Sequence, residues 1–207
     1  MSKVELKKQK KEELRKHILT AAQNIASDNG WQNVTIRKIC DEIGYTAPIV
    51  YHYFESKEMI LQELRREGFV QIFEDFETVN IKFKKPEKRL LEYGLTWWNF
   101  ALKNSEIYQV MFNLQGAICL HNNSATTKVN NTVMSYYHPE FSQLNKKAKR
   151  SEAFRLELTD NMIAIIHGFI SMQMANKVKS PPEKILTVFK NALLRFIDSI
   201  TEIKQQS

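Results

Sequence analysis

The chain has 207 residues, 43% of them hydrophobic, which is enough for one substantial core or two small ones and argues against disorder. With only 6 Gly and 5 Pro it lacks the turn-rich punctuation of an all-β fold, so helices are expected throughout. A net charge of +7 favours a polyanionic partner, and the longest strongly apolar stretch, Met162 to Ile170, falls short of the roughly 18 residues a bilayer span requires, so no membrane partner is expected.

Leu14, Ile18, Ala21, Ala22, Ile25 and Ala26 recur at helical spacing and predict a first helix that Asn29-Gly30 ends in left-handed conformation. Before it, Lys3 to Lys16 carries seven basic and three acidic side chains, and is read either as a basic arm along phosphates or as a frayed, solvated terminus. Thr35 is placed to cap a second helix of about two turns with Ile36, Ile39, Cys40 and Ile43 on one face, and Gly44 stops it. Thr46 is the next capping candidate, and Pro48 sits in the first turn of a short third helix ending at Tyr53. Ser56 caps a long fourth helix with Ile60, Leu64, Phe69, Ile72, Phe73 and Phe76 as its apolar stripe.

Lys82 to Pro86 breaks that pattern, and Pro86 starts a helix carrying Leu90, Leu91, Tyr93, Trp97, Trp98 and Ala101. Four or five more helices fit beyond it. Ile107 to Leu114 is compact and apolar, Asn122 to Thr127 reads as a loop, and His138-Pro139 is expected to interrupt whatever Val129 to Tyr137 forms. Phe154 to Val178 and Glu183 to Ile203 are long, one-sided helices separated by Ser180-Pro181-Pro182.

Two short helices joined by Gly44-Tyr45 form a helix-turn-helix pattern, although spacing alone also fits an ordinary helical corner. The run Thr35-Ile36-Arg37-Lys38-Ile39-Cys40-Asp41-Glu42-Ile43-Gly44-Tyr45-Thr46-Ala47-Pro48-Ile49-Val50-Tyr51-His52-Tyr53-Phe54-Glu55-Ser56-Lys57-Glu58 resembles the DNA-binding region of the TetR family of repressors. The likeness continues through Ile18, Ala21, Ala22 and Gly30 upstream and to Leu61 downstream. Tyr45, Pro48 and Val50 depart from the commonest pattern, where a small aliphatic, a Gly and a Leu are frequent, and these departures bear on which operator is read.

The resemblance implies an all-α fold: an N-terminal three-helix helix-turn-helix domain, residues 1–56 with the basic arm, joined by a long helix to a larger C-terminal helical bundle, residues 57–207, for ligand binding and dimerisation. It implies operator DNA, a small-molecule effector and a second copy of the chain as partners, with the last two helices as the dimer interface. Thr46, Tyr51 and Lys57 are expected to set register on phosphates, Arg37 and Lys38 to reach a phosphate or a base edge, and Ala47, Pro48 and His52 to lie near the bases. Tyr53 and Phe54 are expected in the core, and Thr46 has the alternative of serving only as a cap.

The later sequence resembles a ligand-domain type of the same family, named for a Trp-His-Gly motif, through Trp97-Trp98-Asn99-Phe100-Ala101, Ile107 to Phe112 and Ile166-His167-Gly168, with Ile166 where Trp is usual. Trp97, Tyr108, Met111, Met134, Tyr137, His167 and Met174 would make a mostly apolar pocket, or simply core, and Gly168 is expected to let helices pack closely. Ile163, Ile170, Phe189, Leu193, Phe196 and Ile200 are expected at a four-helix dimer interface.

No cofactor or enzyme is expected. His17, His52, His121, His138 and His167 have no metal-binding spacing, Cys40 and Cys119 no metal or redox spacing, and a Gly-rich phosphate loop is absent. The Lys- and Glu-rich start does not read as a secretory signal, so a reduced cytoplasm is the expected compartment. Two other readings stay open: an effector-free nucleoid or division factor of the same fold, and a helical interaction module that has lost DNA binding.

Overall fold

The computed structural model describes residues 2–114 and 123–202. Their regular elements are all helical: α1 (Lys3–Asn29), α2 (Ile36–Ile43), α3 (Ala47–Tyr53), α4 (Lys57–Lys82), α5 (Pro86–Lys103), α6 (Ser105–Met111), α7 (Asn123–Leu144), α8 (Lys146–Arg150), α9 (Glu152–Met174) and α10 (Pro182–Glu202), with a 3-10 turn at Trp31–Asn33. The chain forms two compact units, residues 1–70 with 104–120 and residues 71–103 with 121–207. Cys119, read from sequence as a free thiol, and His121 lie outside the described residues; Cys40 is a buried free cysteine.

In the first unit the basic N-terminal segment is helical and exposed to solvent rather than frayed. Ser2 Oγ accepts from the Glu5 amide at 3.2 Å while Glu5 Oε2 accepts from the Ser2 amide at 2.6 Å, a reciprocal capping box that starts α1 at Lys3. Downstream, Ile18, Ala22 and Ile25 join Trp31, Ile39, Val50, Phe54, Ile60 and Leu64 in one core. Removing each large aliphatic side chain from water stabilises this core by roughly 1.5–3 kcal/mol. Gly30 takes φ 79° with an extended ψ of 157°, not the left-handed helical conformation expected of it; this region of backbone space is open to glycine and closed to most other residues.

α6 belongs to this core. Val110 packs within it, the Trp31 indole N–H donates to the Glu106 carbonyl at 3.1 Å, and a Cβ at Gly68 on α4 would strike Met111 and Ile107. Across the unit, Arg15 and Arg66 both donate to Glu63 Oε1, at 3.0 and 2.6 Å.

The second unit is built around aromatic rings of α4, α5 and α7. The Phe76 ring meets Tyr93 at a centroid distance of 4.4 Å, Trp97 at 6.1 Å and Tyr137 at 6.2 Å. Trp98 stacks on Phe189 of α10 at 4.9 Å, and a Cβ at Gly94 would strike Leu193. Asn145 closes α7 and opens α8, its Oδ1 accepting from the Lys147 and Ala148 amides while its Nδ2 donates to the Ile200 carbonyl at 2.9 Å.

The structure corrects four expectations for this unit. The segment read as a loop is helical from Asn123, and α7 continues through His138-Pro139 to Leu144. Pro139 is exposed, as is Ser135 one turn earlier, whose carbonyl the missing amide would have paired. Gly168 is exposed and a Cβ there would meet nothing within 4 Å; close packing falls instead at Gly68 and Gly94. Ile170, Phe189, Leu193 and Ile200 are buried inside the protomer rather than presented to a partner; the apolar side chains that α9 and α10 leave exposed include Leu156, Met172, Leu186 and Val188.

Candidate nucleic-acid interface

The corner between α2 and α3 is fixed by local chemistry. Thr35 Oγ1 accepts from the Lys38 amide at 3.2 Å and starts α2. Gly44 ends it in left-handed conformation, φ 72° and ψ 28°, with the Gly44 and Tyr45 amides both donating to the Cys40 carbonyl at 2.9 and 3.2 Å. Thr46 stands at the N-cap position of α3, but its hydroxyl makes no capping bond; Pro48, in the first turn, removes an amide that would have had no intrahelical partner.

Val50 fixes α3 to the core with no exposed surface, and Phe54 is buried behind it with Tyr53 packed partly against the same cluster, as the sequence implies. The opposite face is open to solvent. Tyr45 is 43%, Ile49 39% and Tyr51 50% exposed, and Pro48 and His52 stand in solvent beside them. A seven-residue helix that holds large apolar side chains in water is under-buried for a surface element, the usual mark of a contact surface.

Of the residues singled out from sequence, Arg37 and Lys38 are exposed in the first turn of α2; Thr46, Pro48, Tyr51 and His52 are exposed on or before α3; Ala47 and Lys57 are half-buried. Lys57 has a partner inside the unit, because its Nζ donates to the Trp31 carbonyl at 2.7 Å. Burial lowers the pKa of that ammonium, an effect that neighbouring Glu58 opposes. Tyr45 and Ile49 belong to the same exposed face; Ile49 escapes a reading from sequence because periodicity cannot say which face of so short a helix turns outward.

Residues 18–64 match the profile of the bacterial regulatory proteins, tetR family. The chain is 32% identical over 72 residues to the HTH-type transcriptional regulator UidR of Escherichia coli K12 and 36% identical over 88 residues to the HTH-type transcriptional regulator YdgC of Bacillus subtilis. Residues 18–64 are thus similar to the N-terminal segment of the TetR family. The matches span 33% and 40% of those two relatives, and 35% and 42% of this chain. A solved TetR family transcription regulator from Marinobacter aquaeolei shares the fold, with a TM-score of 0.69 over 91% of this chain and 97% of its own, at 16% identity. The family match ends at residue 64 and does not reach the Trp-His-Gly motif region.

The seven side chains read as pocket lining divide between the two units of the chain. Tyr108 and Met111 lie fully buried in the first, Tyr108 against the Phe112 ring at 4.8 Å. Trp97, Met134, Tyr137, His167 and Met174 lie in the second. There the His167 ring meets Trp97 edge-on at 5.7 Å, and desolvation lowers its pKa to about 4. A cavity of about 400 Å³ in the same unit opens between α4, α5 and α7, and none of the seven lines it. No helix among the described residues is long and apolar enough to cross a membrane.

Proposed function

We propose that this chain is a DNA-binding transcriptional regulator that represses as a homodimer and leaves its operator when a small molecule enters the second unit. The observation that carries this reading is the bare outer face of α3, held by a capped corner and a buried Val50 within the TetR-family segment. In the proposed complex α3 enters the major groove, and two copies stand about 34–36 Å apart in successive grooves.

Thr46, Tyr51, Lys57 and Lys38 hold phosphates: the Thr46 hydroxyl is not used as a cap, and the Lys57 ammonium keeps two N–H donors beyond its bond to Trp31. Arg37 reaches phosphate or guanine, while Ala47, Pro48 and His52, joined by Tyr45 and Ile49, meet base edges and thymine methyls. The second copy docks on α9 and α10 through side chains such as Met172, Leu186 and Val188. The effector is seated in the second unit and acts through α4, which contributes residues to both units. It releases DNA only by favouring a form that binds DNA less well.

Genomic footprinting with the purified full chain, followed by a screen for small molecules that release it from the recovered site, tests this. A protected two-fold site is expected; protection without sequence preference and without release by any bound ligand would contradict regulation.

A further inference from the structure

The cavity between α4, α5 and α7 has an uneven chemistry. Its volume, about 400 Å³, suits a small molecule, and its walls carry two carboxylates, Glu77 and Glu140, against one arginine, Arg89. Most donors on those walls are already turned toward protein acceptors, Arg89 Nε excepted. Arg89 gives Nη1 to the Phe83 and Lys84 carbonyls at 3.3 and 3.1 Å and Nη2 to Glu140 Oε2 at 2.5 Å. The Tyr136 hydroxyl donates to Glu77 Oε1 at 2.6 Å and the Tyr93 hydroxyl to Asn80 Oδ1. Thr132 and Ser135 give their protons to the Lys128 and Thr132 carbonyls at 2.9 and 2.7 Å. The Gln143 amide donates to the Pro139 carbonyl at 3.3 Å.

The acceptors around the cavity are the carboxylate oxygens of Glu77 and Glu140 and the lone pairs of four hydroxyls; the donors left over are the Asn80 amide and the Arg89 Nε–H, which is buried without a partner. The two carboxylates differ. Glu140 is buried and its charge is offset by Arg89, whereas Glu77 holds only a neutral tyrosine hydroxyl and, among the described residues, no Lys or Arg pairs with it. An anion here would meet uncompensated negative charge, and an apolar guest would strip water from a carboxylate with nothing in exchange. A guest bearing N–H donors and positive charge satisfies both.

We propose that this cavity binds a small organic cation with N–H donors, an ammonium, amidinium or guanidinium compound, with Glu77 as its charge partner. The proposal rests on the reading that the second unit takes an effector, and names that effector's chemical class. The test titrates the purified full chain by calorimetry with three molecules of one shape: benzamidine, neutral benzamide and anionic benzoate. Benzamidine is expected to bind one per chain, benzamide at least about tenfold more weakly, and benzoate not detectably. Glu77→Gln, at an exposed position where the amide oxygen still accepts from Tyr136, should weaken benzamidine about tenfold while leaving the unfolding midpoint in place.

Benzoate binding as tightly as benzamidine, an unaltered affinity in Glu77→Gln, no benzamidine heat at millimolar concentration, or displacement of benzamidine by manganese at one ion per chain would each overturn the proposal. DNA affinity is measured separately with and without benzamidine. Binding that leaves DNA affinity unchanged keeps the cation site and removes its role as effector site. Release of DNA by other molecules, with no benzamidine bound, does the reverse.

Discussion

Gly44 turns the corner on which the recognition surface depends, and it does so with a backbone conformation that costs an L side chain about 1–2 kcal/mol. A Cβ there would meet nothing within 4 Å, so the cost is in the backbone alone. Gly44→Ala should lower stability by about 1 kcal/mol in chemical denaturation and Gly44→Asn by less, since asparagine tolerates this region; equal stability of both with the parent would deny the left-handed turn.

Also at the residue scale, Tyr51→Phe removes one hydroxyl from a half-exposed ring. It should weaken DNA binding by a similar factor on good and poor operators with no change in unfolding. Lys57→Ala carries two effects, because the side chain also bonds the Trp31 carbonyl: a drop of about 1 kcal/mol in stability and a shallower salt dependence of DNA binding. Arg37→Ala should instead change sequence preference in a selection from random duplexes.

Among the elements, the Arg15–Glu63–Arg66 cluster ties α1 to α4. Partial burial pushes the Glu63 carboxyl up, but hydrogen bonds from Arg66 and Arg15 outweigh it and hold it at about 2, below the usual 4.5. A depressed carboxyl stabilises the folded state fully above its ordinary value, and that contribution fades as pH falls from 4.5 toward about 2. After screening by solvent it is on the order of 1 kcal/mol. Thermal unfolding across that window should show a steeper acid destabilisation in the parent than in Glu63→Gln. In α9 the sign is the same for His167, whose folded pKa of about 4 lies below 6.5: its neutral form is favoured, and its contribution fades as pH drops between those values. Its ring signal by NMR should not titrate until about pH 4.

Legibility from sequence varies with the strength of local chemistry at each element. Thr35, Gly44, Ser56 and Pro86 each state a helix boundary in their own side chain or backbone, and the structure has helix ends at all four. The full length of α7 is hidden because Pro139 normally ends a helix, and only its exposure, a tertiary property, makes it tolerable. The faces of α9 and α10 are ambiguous for a related reason: an apolar stripe such as Phe189 and Leu193 does not declare whether its own protomer or another covers it. The polar cavity leaves no sequence signal, since its residues come from three helices and the seven aromatic, sulfur and imidazole side chains read as lining are absent from it.

At the scale of the whole molecule, the proposed regulator needs two copies to read a two-fold site. Leu186→Glu places charge on the exposed side of α10, away from the protomer core, and should convert a dimer to monomer in sedimentation without unfolding either unit. An unchanged dimer would place the interface elsewhere.

The central claim is that the outer face of α3 and its flanking cations grip duplex DNA. Fluorescence anisotropy of the purified chain on its footprinted site and on a scrambled duplex, across a salt series, tests it most directly. The account predicts tighter binding to the site, and a log–log salt slope that becomes shallower by about 0.9 when Lys38→Ala leaves one phosphate unneutralised. Equal affinity for both duplexes, or binding indifferent to salt, would contradict it.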